Sequence, residues 1–500
     1  VTDGGEVIAS QYDQGIVRYS LSTGEETGEF PIPFCGDILV CGGTLIVIEG
    51  EMIRQFDLST GDEGNNIPFD GSVGPVTLST APDEKSFLRC DSSGIYRWML
   101  GGNIWERLVD GSLTSLGMPS VNVDGFAALK DNAFFVLIAD DDRYQPLYFS
   151  YSADTPTAPS QELSIYSLRS SDTVRQAIGV MQAKNPDLLL RYKPVLSGDS
   201  VITVSDAVRS LNTELLAGKG PDVLVLDYLP VSSYQERGVL ADLSSVLDMD
   251  ALCPNIARTY EKDGSVFAVP ARFAVPQMWG PQEAGAAESF EAFVNWAEKV
   301  QKDDPEGKLM LESVPVDLIG EFYLTCSPAW RNEDGSIRPE EFADFLTGIQ
   351  RLASLREGME ISEEQRSALS PNVKSMIWSS TGTGEDLRIV TMLSQSFQNM
   401  AFPDAVTDLR ENIGFSLMQG QAKDVYVPEC VLGVNAASPL ADRALEFVRT
   451  ALSEKVQRTD FSDGYPVHLK ALEDGAAYPY KEGDDGMQIQ IYEGGEERWL

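Results

Sequence analysis

The stretch from Leu211 to Leu247 constrains the fold more than any other part of the chain, because it specifies a helix, a tight turn, a strand and a second helix in that order. Ser205 is expected to cap the first helix, whose apolar residues recur at helical spacing. Gly218 stands where a left-handed residue ends a helix. The apolar run from Val223 to Leu226 lies between turn signals and is typical of a strand covered on both faces. This order indicates an α/β fold with a parallel sheet.

Asp227 and Tyr228 follow that strand directly. Ligands of open parallel sheets bind outside the carboxyl ends of the strands. Pro230 is expected to start the next helix and Gly238 to end it. The sequence therefore predicts a ligand-contacting loop at Asp227 and Tyr228.

Several segments around this stretch resemble one protein family. They are, in chain order, Leu163–Arg191, Ala217–Asp227, Tyr234–Leu247, Gly264–Pro270 and Ala444–Leu472. Together they resemble the extracellular solute-binding proteins of bacterial ABC importers, in the group that includes the maltose-binding type. The resemblance covers about 310 residues and is more specific for the fold than for the ligand.

The resemblance implies a two-lobed α/β periplasmic-binding-protein-like fold of type II. It also implies a function: capture of a small-molecule solute, with an oligosaccharide favoured, for an ABC importer permease. Gram-positive members of the family are lipid-anchored, so the resemblance places this chain outside the cell, at the cell surface and peripheral to the membrane. The chain begins at Val1 without a signal peptide, which is typical of a mature secreted protein and equally of an edited sequence.

The N-terminal part carries a different pattern, a repeat of short strands. Val17–Glu25 returns as Ile53–Asp62, and the glycines of their Ser-Thr-Gly turns lie about 37 residues apart. Ile95–Asn103 is a looser copy, and Pro146–Thr155 a candidate fourth. Short strands with glycine turns at this period predict an all-β propeller-like domain. A sandwich of similar hairpins is the alternative.

The change of pattern predicts the domain organisation. Residues 1–155 form the propeller-like domain, 153–162 a linker rich in Pro, Thr, Ser and Ala, and 163–500 the two-lobed solute-binding domain. Because the hydrophobic periodicities differ on the two sides of the linker, we expect the later part to fold without the first.

Composition excludes some functions. The formal net charge of −39 repels nucleic acid and anionic membrane surfaces, so neither is expected as a partner. With a single histidine, His468, and six scattered cysteines, we expect no metal site and no cofactor. Cys35 and Cys41 are spaced to meet across a hairpin, although apolar neighbours favour buried thiols. A Ca²⁺ site at Asp140–Asp142 is the exception left open, against a solvated loop.

No nucleophile elbow, zinc-protease motif or phosphate-binding loop is present, so we expect a binding protein and not an enzyme. Two other classes stay open. One is a glycan-active enzyme with its site in the propeller, and the other is a non-transport interaction or sensor protein at the cell surface.

A sugar site needs flat aromatic faces for the apolar side of each ring and planar polar groups for the hydroxyls. His468 is interpreted as structural, and core packing is the alternative for each tryptophan. The arginines keep an acidic sugar or a peptide open as ligand, because guanidinium pairs with carboxylate. The predicted ligand-binding residues are Tyr166, Ser167, Arg169, Asp227, Tyr228, Arg272, Trp279, Trp330 and Trp378.

Overall fold

The computed structural model describes most of the chain. The described residues are 5–11, 15–32, 35–69, 75–140, 143–151, 160–185, 187–196, 202–303, 315–332, 334–355, 389–397, 413–477, 490–493 and 496–499. The remaining positions include Trp378 and Asp141–Asp142, so the predictions made for them lie outside the described residues. The same holds for the linker, of which only 160–162 is described.

The N-terminal part consists of four consecutive antiparallel sheets. Sheet 1 contains β1 (Glu6–Gln11), β2 (Gly15–Ser20) and β3 (Glu26–Phe30). Sheet 2 contains β4 (Ile38–Cys41), β5 (Thr44–Glu49), β6 (Met52–Asp57) and β7 (Ile67–Pro68). Sheet 3 contains β8 (Thr77–Thr80), β9 (Ser86–Asp91), β10 (Gly94–Met99) and β11 (Trp105–Asp110). Sheet 4 contains β12 (Val121–Ala128), β13 (Phe134–Asp140) and β14 (Arg143–Phe149).

The predicted repeat is confirmed at its turns. The turns after β2 and β6 each place a glycine at positive φ, Gly24 at 72° and Gly61 at 78°. In the second turn the Asp57 carboxylate accepts hydrogen bonds from the backbone of Ser59 at 2.8 Å and Thr60 at 3.0 Å. The equivalent turn after β10 has Gly101 at 75°. Left-handed backbone is inexpensive only for glycine, so the recurring glycine reflects one turn geometry.

Consecutive sheets pack on one another. Ile16 and Phe30 of sheet 1 share a buried cluster with sheet 2, and sheet 2 shares another with Phe87 and Trp98 of sheet 3. The first strands of successive sheets are also hydrogen bonded. Thr80 of β8 donates to the Val40 carbonyl of β4 at 3.0 Å, and the backbone N–H of Ala128 in β12 donates to Ser79 of β8 at 2.9 Å. Propeller blades pack in this way. The propeller-like domain itself stays a prediction.

Helices and strands alternate after residue 160. The strands are β15 (Gln161–Ser167), β16 (Leu188–Pro194), β17 (Val223–Val225), β18 (Glu261–Lys262), β19 (Ser265–Val266), β20 (Val269–Pro281), β21 (Val390–Ser394), β22 (Ile413–Leu417), β23 (Val427–Val434), β24 (Tyr465–Pro466), β25 (Gln490–Glu493) and β26 (Glu496–Trp499). The helices are α1 (Asp172–Gln182), α2 (Val204–Leu216), α3 (Val231–Glu236), α4 (Pro254–Ala257), α5 (Gln282–Gly285), α6 (Phe290–Asp303), α7 (Pro315–Trp330), α8 (Pro339–Ser354), α9 (Ala441–Ala451), α10 (Glu454–Gln457) and α11 (Leu469–Ala476). Among the described helices, none is both long and apolar enough to span a lipid bilayer.

The chain divides into two compact units, residues 1–224 with 437–451, and residues 225–436 with 452–500. In the first unit β15 pairs in parallel with β16 on one side and with β17 on the other. This confirms the predicted parallel sheet. In the second unit β20 pairs antiparallel with β21, β22, β23 and β24.

The local signals in the organising stretch are largely confirmed. Gly218 and Gly238 end their helices at positive φ, 67° and 68°. The N-cap prediction is wrong by two residues, because α2 begins at Val204 and the Thr203 side chain accepts the Asp206 backbone N–H at 3.2 Å. Both Thr203 and Ser205 carry a hydroxyl suited to capping, and the helix starts at the earlier one.

A second apolar core lies in the second unit, where α6, α7 and α8 pack together. Its largest side chains are aromatic and almost fully buried, namely Phe290, Phe293, Phe322, Trp330 and Phe345. This core contains one of the predicted ligand-binding tryptophans, as described below.

Candidate functional site

The candidate site lies in the second unit, just after β17. The backbone N–H of Leu226 donates to the Val431 carbonyl of β23 at 2.7 Å, and the chain then turns, with the Leu229 N–H donating to the Leu226 carbonyl at 2.9 Å. Tyr228 lies inside this turn at φ 63°, and 70% of its side chain is exposed. A bulky residue rarely adopts left-handed backbone, and such residues concentrate at functional sites.

The Asp227 carboxyl group is held against the backbone of β23. Its Oδ1 accepts the Val431 N–H at 3.4 Å. The neighbouring Cys430 has φ 48° and is buried. The register of β20 with β23 is the same on both sides of Cys430, with Pro270 opposite Val431 and Arg272 opposite Glu429. Two non-glycine residues with left-handed backbone therefore lie beside the same carboxyl group, one after it in sequence and one across from it.

Asp227 is expected to hold a proton near neutral pH. Burial raises its pKa to about 7, and the charge of Asp463 adds to the rise, while the backbone N–H groups of Val431 and Cys430 oppose it. A carboxyl group with such a pKa can accept or donate a hydrogen bond.

Glu429 is a second carboxyl group with a raised pKa. Burial raises it to about 7, the nearby charges of Asp227 and Asp463 act in the same direction, and a hydrogen bond with Gln395 lowers it. Asp227 and Glu429 therefore act on each other electrostatically and titrate as a coupled pair beside the charge of Asp463.

Tyrosine hydroxyls border these acids. Burial raises the pKa of Tyr260 to about 12, with further contributions from Asp227 and Tyr426. The Tyr426 hydroxyl donates to the Asn255 carbonyl at 3.1 Å and lies 3.0 Å from the Thr259 hydroxyl. The site thus combines an exposed aromatic ring with several hydroxyl and carboxyl groups.

The sequence reasoning found Asp227 and Tyr228 but missed Glu429, Asp463 and Tyr260. A signal for Glu429 was present, because it is the one charged residue within the otherwise apolar strand β23. A carboxylate within such a strand indicates either a buried partner or a ligand. No comparable signal marks Asp463, which lies in a loop.

Arg272 was predicted to contact ligand, and the structure gives it a different role. The side chain is fully buried. Its guanidinium donates to four backbone carbonyls, those of Val456 at 3.2 Å, Gln457 at 3.4 Å, Thr459 at 3.1 Å and Gly464 at 3.5 Å. It therefore supports the end of α10 and the following loop. Burial lowers its pKa, although an arginine stays charged at neutral pH.

Trp279 and Trp330 were predicted to stack on ligand, but the structure places both in the interior, 1% and 4% exposed. Trp330 packs against the rings of Phe342 and Phe345, with centroids 4.9 and 5.8 Å away. Trp279 in β20 lies opposite Val390 and Phe415 of neighbouring strands. Neither ring offers a free face to a ligand in this conformation. Trp378 is not among the described residues.

Tyr166, Ser167 and Arg169 belong to the first unit. Ser167 is buried and donates to the Tyr192 hydroxyl at 2.9 Å, and that hydroxyl donates to the Arg169 carbonyl at 3.3 Å. The Tyr166 hydroxyl donates to the Ala207 carbonyl of α2 at 3.4 Å. The Arg169 side chain is exposed. Their contact with ligand stays a prediction.

The structure also shows the state of the cysteines and the contacts of the single histidine. All six cysteines are free thiols, so the hairpin disulfide left open between Cys35 and Cys41 is not formed. The backbone of His468 caps α11 and pairs with Leu252. Within the described part of the chain, no three His, Cys, Asp or Glu residues are grouped to hold a metal ion.

No protein-family model and no curated protein matches this chain. Solved structures do resemble it. An extracellular solute-binding protein of family 1 from Alicyclobacillus acidocaldarius is 13% identical over 64% of this chain and 82% of its own, with a TM-score of 0.43. A periplasmic solute-binding protein from Pectobacterium atrosepticum is 13% identical over 63% and 81%, with a TM-score of 0.41. A periplasmic oligogalacturonide-binding protein from Yersinia enterocolitica is 13% identical over 63% and 82%, with a TM-score of 0.41. Since these TM-scores lie below 0.5, the likenesses do not identify a ligand for this chain.

Proposed function

We propose that this chain is a solute-binding protein whose ligand is held at Asp227, Tyr228 and Glu429. The observation that carries the proposal is the combination at one strand end of an exposed tyrosine and two carboxyl groups with pKa values of about 7. A sugar has an apolar ring face for the tyrosine and hydroxyl groups for the carboxyl groups. A neutral oligosaccharide is therefore the favoured ligand.

The charge distribution argues against an anionic ligand. Asp227 and Glu429 repel anions whenever they are ionised, the charge of Asp463 lies near both, and the guanidinium of Arg272 is occupied by backbone carbonyls. Acidic sugars and peptide carboxylates, which the sequence left open through its arginines, are disfavoured at this site.

The test is calorimetric titration with neutral oligosaccharides, amino sugars, acidic sugars and short peptides. Neutral sugars are expected to bind and galacturonides to bind at least tenfold more weakly. Glu429→Gln should change the affinity for any ligand found, and Glu288→Gln, an exposed acid of the same unit, should not. Binding that is restricted to acidic ligands, or unaffected by Glu429→Gln, refutes this site.

The titrations also separate binding from catalysis. A carboxyl pair with raised pKa values is the equipment of general acid catalysis. If chromatography shows the bound oligosaccharide being cleaved, the chain is a glycosidase. If it is recovered intact, the chain is a binding protein.

Delivery to an ABC importer permease, a lipid anchor, a place at the cell surface and a propeller-like N-terminal domain are further parts of the proposal, and the family resemblance and the strand repeat support them. A permease gene beside this gene and loss of sugar uptake after its deletion are the expected results. Unchanged uptake would favour the interaction or sensor function.

A further inference from the structure

Sheet 4 differs from the two sheets before it in how its second strand is covered. All but the first and last residues of β5 are buried, and β9 is buried throughout. Both strands lie in sheets packed between two others. The second strand of sheet 4, β13, also reads as a continuous apolar run, FFVLIA. Such a run is typical of a strand covered on both faces.

Only one face of β13 is covered. Phe134, Val136 and Ile138 are at most 5% exposed, whereas Phe135, which points to the other face, is 40% exposed. The neighbouring strand β14 shows the same contrast. Tyr148 lies directly opposite Phe135 and is 66% exposed, and Tyr144 on the same face is 69% exposed. We define the outer aromatic face as Phe135, Leu137, Ala139, Tyr144, Pro146 and Tyr148.

This face stands out from the rest of the surface. Of the five aromatic side chains that are largely exposed in the described part of the chain, four lie between Phe135 and Tyr151. The six residues of the outer aromatic face are uncharged, although the whole chain has a net charge of −39 and the adjoining strand β12 exposes Asp124 at its bulge. Because each copy is strongly negative, two copies repel each other over most of their surfaces. They can approach each other with the least electrostatic repulsion through an uncharged face.

We propose that the outer aromatic face binds the same face of a second copy of this chain, related by a two-fold axis. An isologous contact needs only one self-complementary patch, and this patch is apolar and uncharged on both copies. Seven-residue strands are roughly 24 Å long and three of them are about 14 Å wide. A face of these dimensions has a smaller area than the roughly 800 Å² per partner of a standard interface. We therefore expect a weak dimer that forms only at high protein concentration.

The experiment is sedimentation velocity from 1 to about 500 μM, at low and at physiological salt. The sedimentation coefficient of the wild type should rise with concentration, and rise further when salt screens the repulsion between the acidic copies. Tyr148→Glu and Phe135→Glu should each stay monomeric with an unchanged melting curve. Ile104→Glu, a matched change at an exposed apolar residue in the turn before β11, should behave as the wild type.

Three results would overturn the proposal. A wild type that is monomeric at every concentration means that the face is bare or binds a different protein. A dimer that survives both glutamate substitutions lies elsewhere on the molecule. A dimer that added salt dissociates is held by charges and not by an apolar face.

Discussion

Gln176 of α1 and Ser120 exchange two hydrogen bonds across 56 residues of sequence. The Gln176 Nε2 donates to the Ser120 hydroxyl at 2.8 Å, and the Ser120 backbone N–H donates to the side-chain Oε1 of Gln176 at 3.3 Å. One turn further along the helix, Gly179 lies against Met118. The segment before β12 therefore packs closely on α1 within the first unit.

This packing predicts strong coupling between Gly179 and Met118. A Cβ atom at Gly179 would lie 2.0 Å from the Met118 Cγ. Gly179→Ala should lower the free energy of unfolding by about 1–3 kcal/mol through overpacking. Met118→Ala should lower it by about 2–5 kcal/mol through a cavity. The double variant should lose less than the sum of the two in urea denaturation.

Gly320→Ala is the matched control, because nothing lies within 4 Å of a Cβ atom there and alanine favours the helix. It should be neutral or stabilising. If the losses in free energy of unfolding of Gly179→Ala and Met118→Ala simply add up in the double variant, the contact between these residues is contradicted.

Two substitutions of Tyr228 should separate the contribution of its ring to ligand binding from the cost of its backbone conformation to stability. Both Tyr228→Ala and Tyr228→Gly remove the exposed ring and should weaken binding of the sugar found by titration about tenfold. Tyr228→Gly should also be about 1 kcal/mol more stable than Tyr228→Ala, because glycine adopts the φ of 63° without steric cost. Melting curves and calorimetry measure the two effects.

Asp263→Gly provides the comparison, since Asp263 is exposed and has φ 53°. It should gain stability without a change in affinity. Unchanged affinity in both Tyr228 variants would show that the ring does not contact the ligand.

The raised pKa values predict how stability depends on pH. The folded protein holds protons on Asp227 and Glu429 up to about pH 7, whereas the unfolded chain releases them near the model values of 3.8 and 4.5. These groups therefore favour folding at low pH, and their contribution is lost as the pH rises from about 4 to 7. The slope is at most about 1.4 kcal/mol per pH unit for each proton.

Asp227→Asn removes part of this dependence. Its stability relative to the wild type should increase between pH 5 and pH 8 in urea denaturation. Glu288→Gln should show no such trend. A relative stability of Asp227→Asn that stays constant with pH would mean that Asp227 is ionised in the folded protein over this whole range.

Arg272 should matter for stability and not for affinity. Arg272→Met leaves four backbone carbonyls without their donor and should lower the free energy of unfolding by about 3 kcal/mol or more. Arg258→Met removes an exposed ion pair with Glu261 and should cost about 0.5 kcal/mol or less. If Arg272→Met folds with normal stability and loses ligand affinity, the original prediction of a ligand-binding arginine is restored.

Short-range patterns carried most of the successful predictions. The turns at Gly24, Gly61, Gly218 and Gly238 depend on backbone that glycine alone adopts easily, so a single residue reveals them. The strand ending before Asp227 is bounded by local turn signals in the same way. The order of these elements was enough to indicate the parallel sheet of β15, β16 and β17.

The roles of individual side chains were decided by distant parts of the chain. Arg272 is held by carbonyls about 185 residues later, and Asp227 meets a backbone N–H 204 residues away. The sequence by itself determined that a carboxylate and a tyrosine stand at the end of a buried strand. Only the tertiary structure decided that Glu429 and Asp463 join them while Trp279 and Trp330 turn inward, because burial and charge proximity depend on segments that come together only in the folded chain.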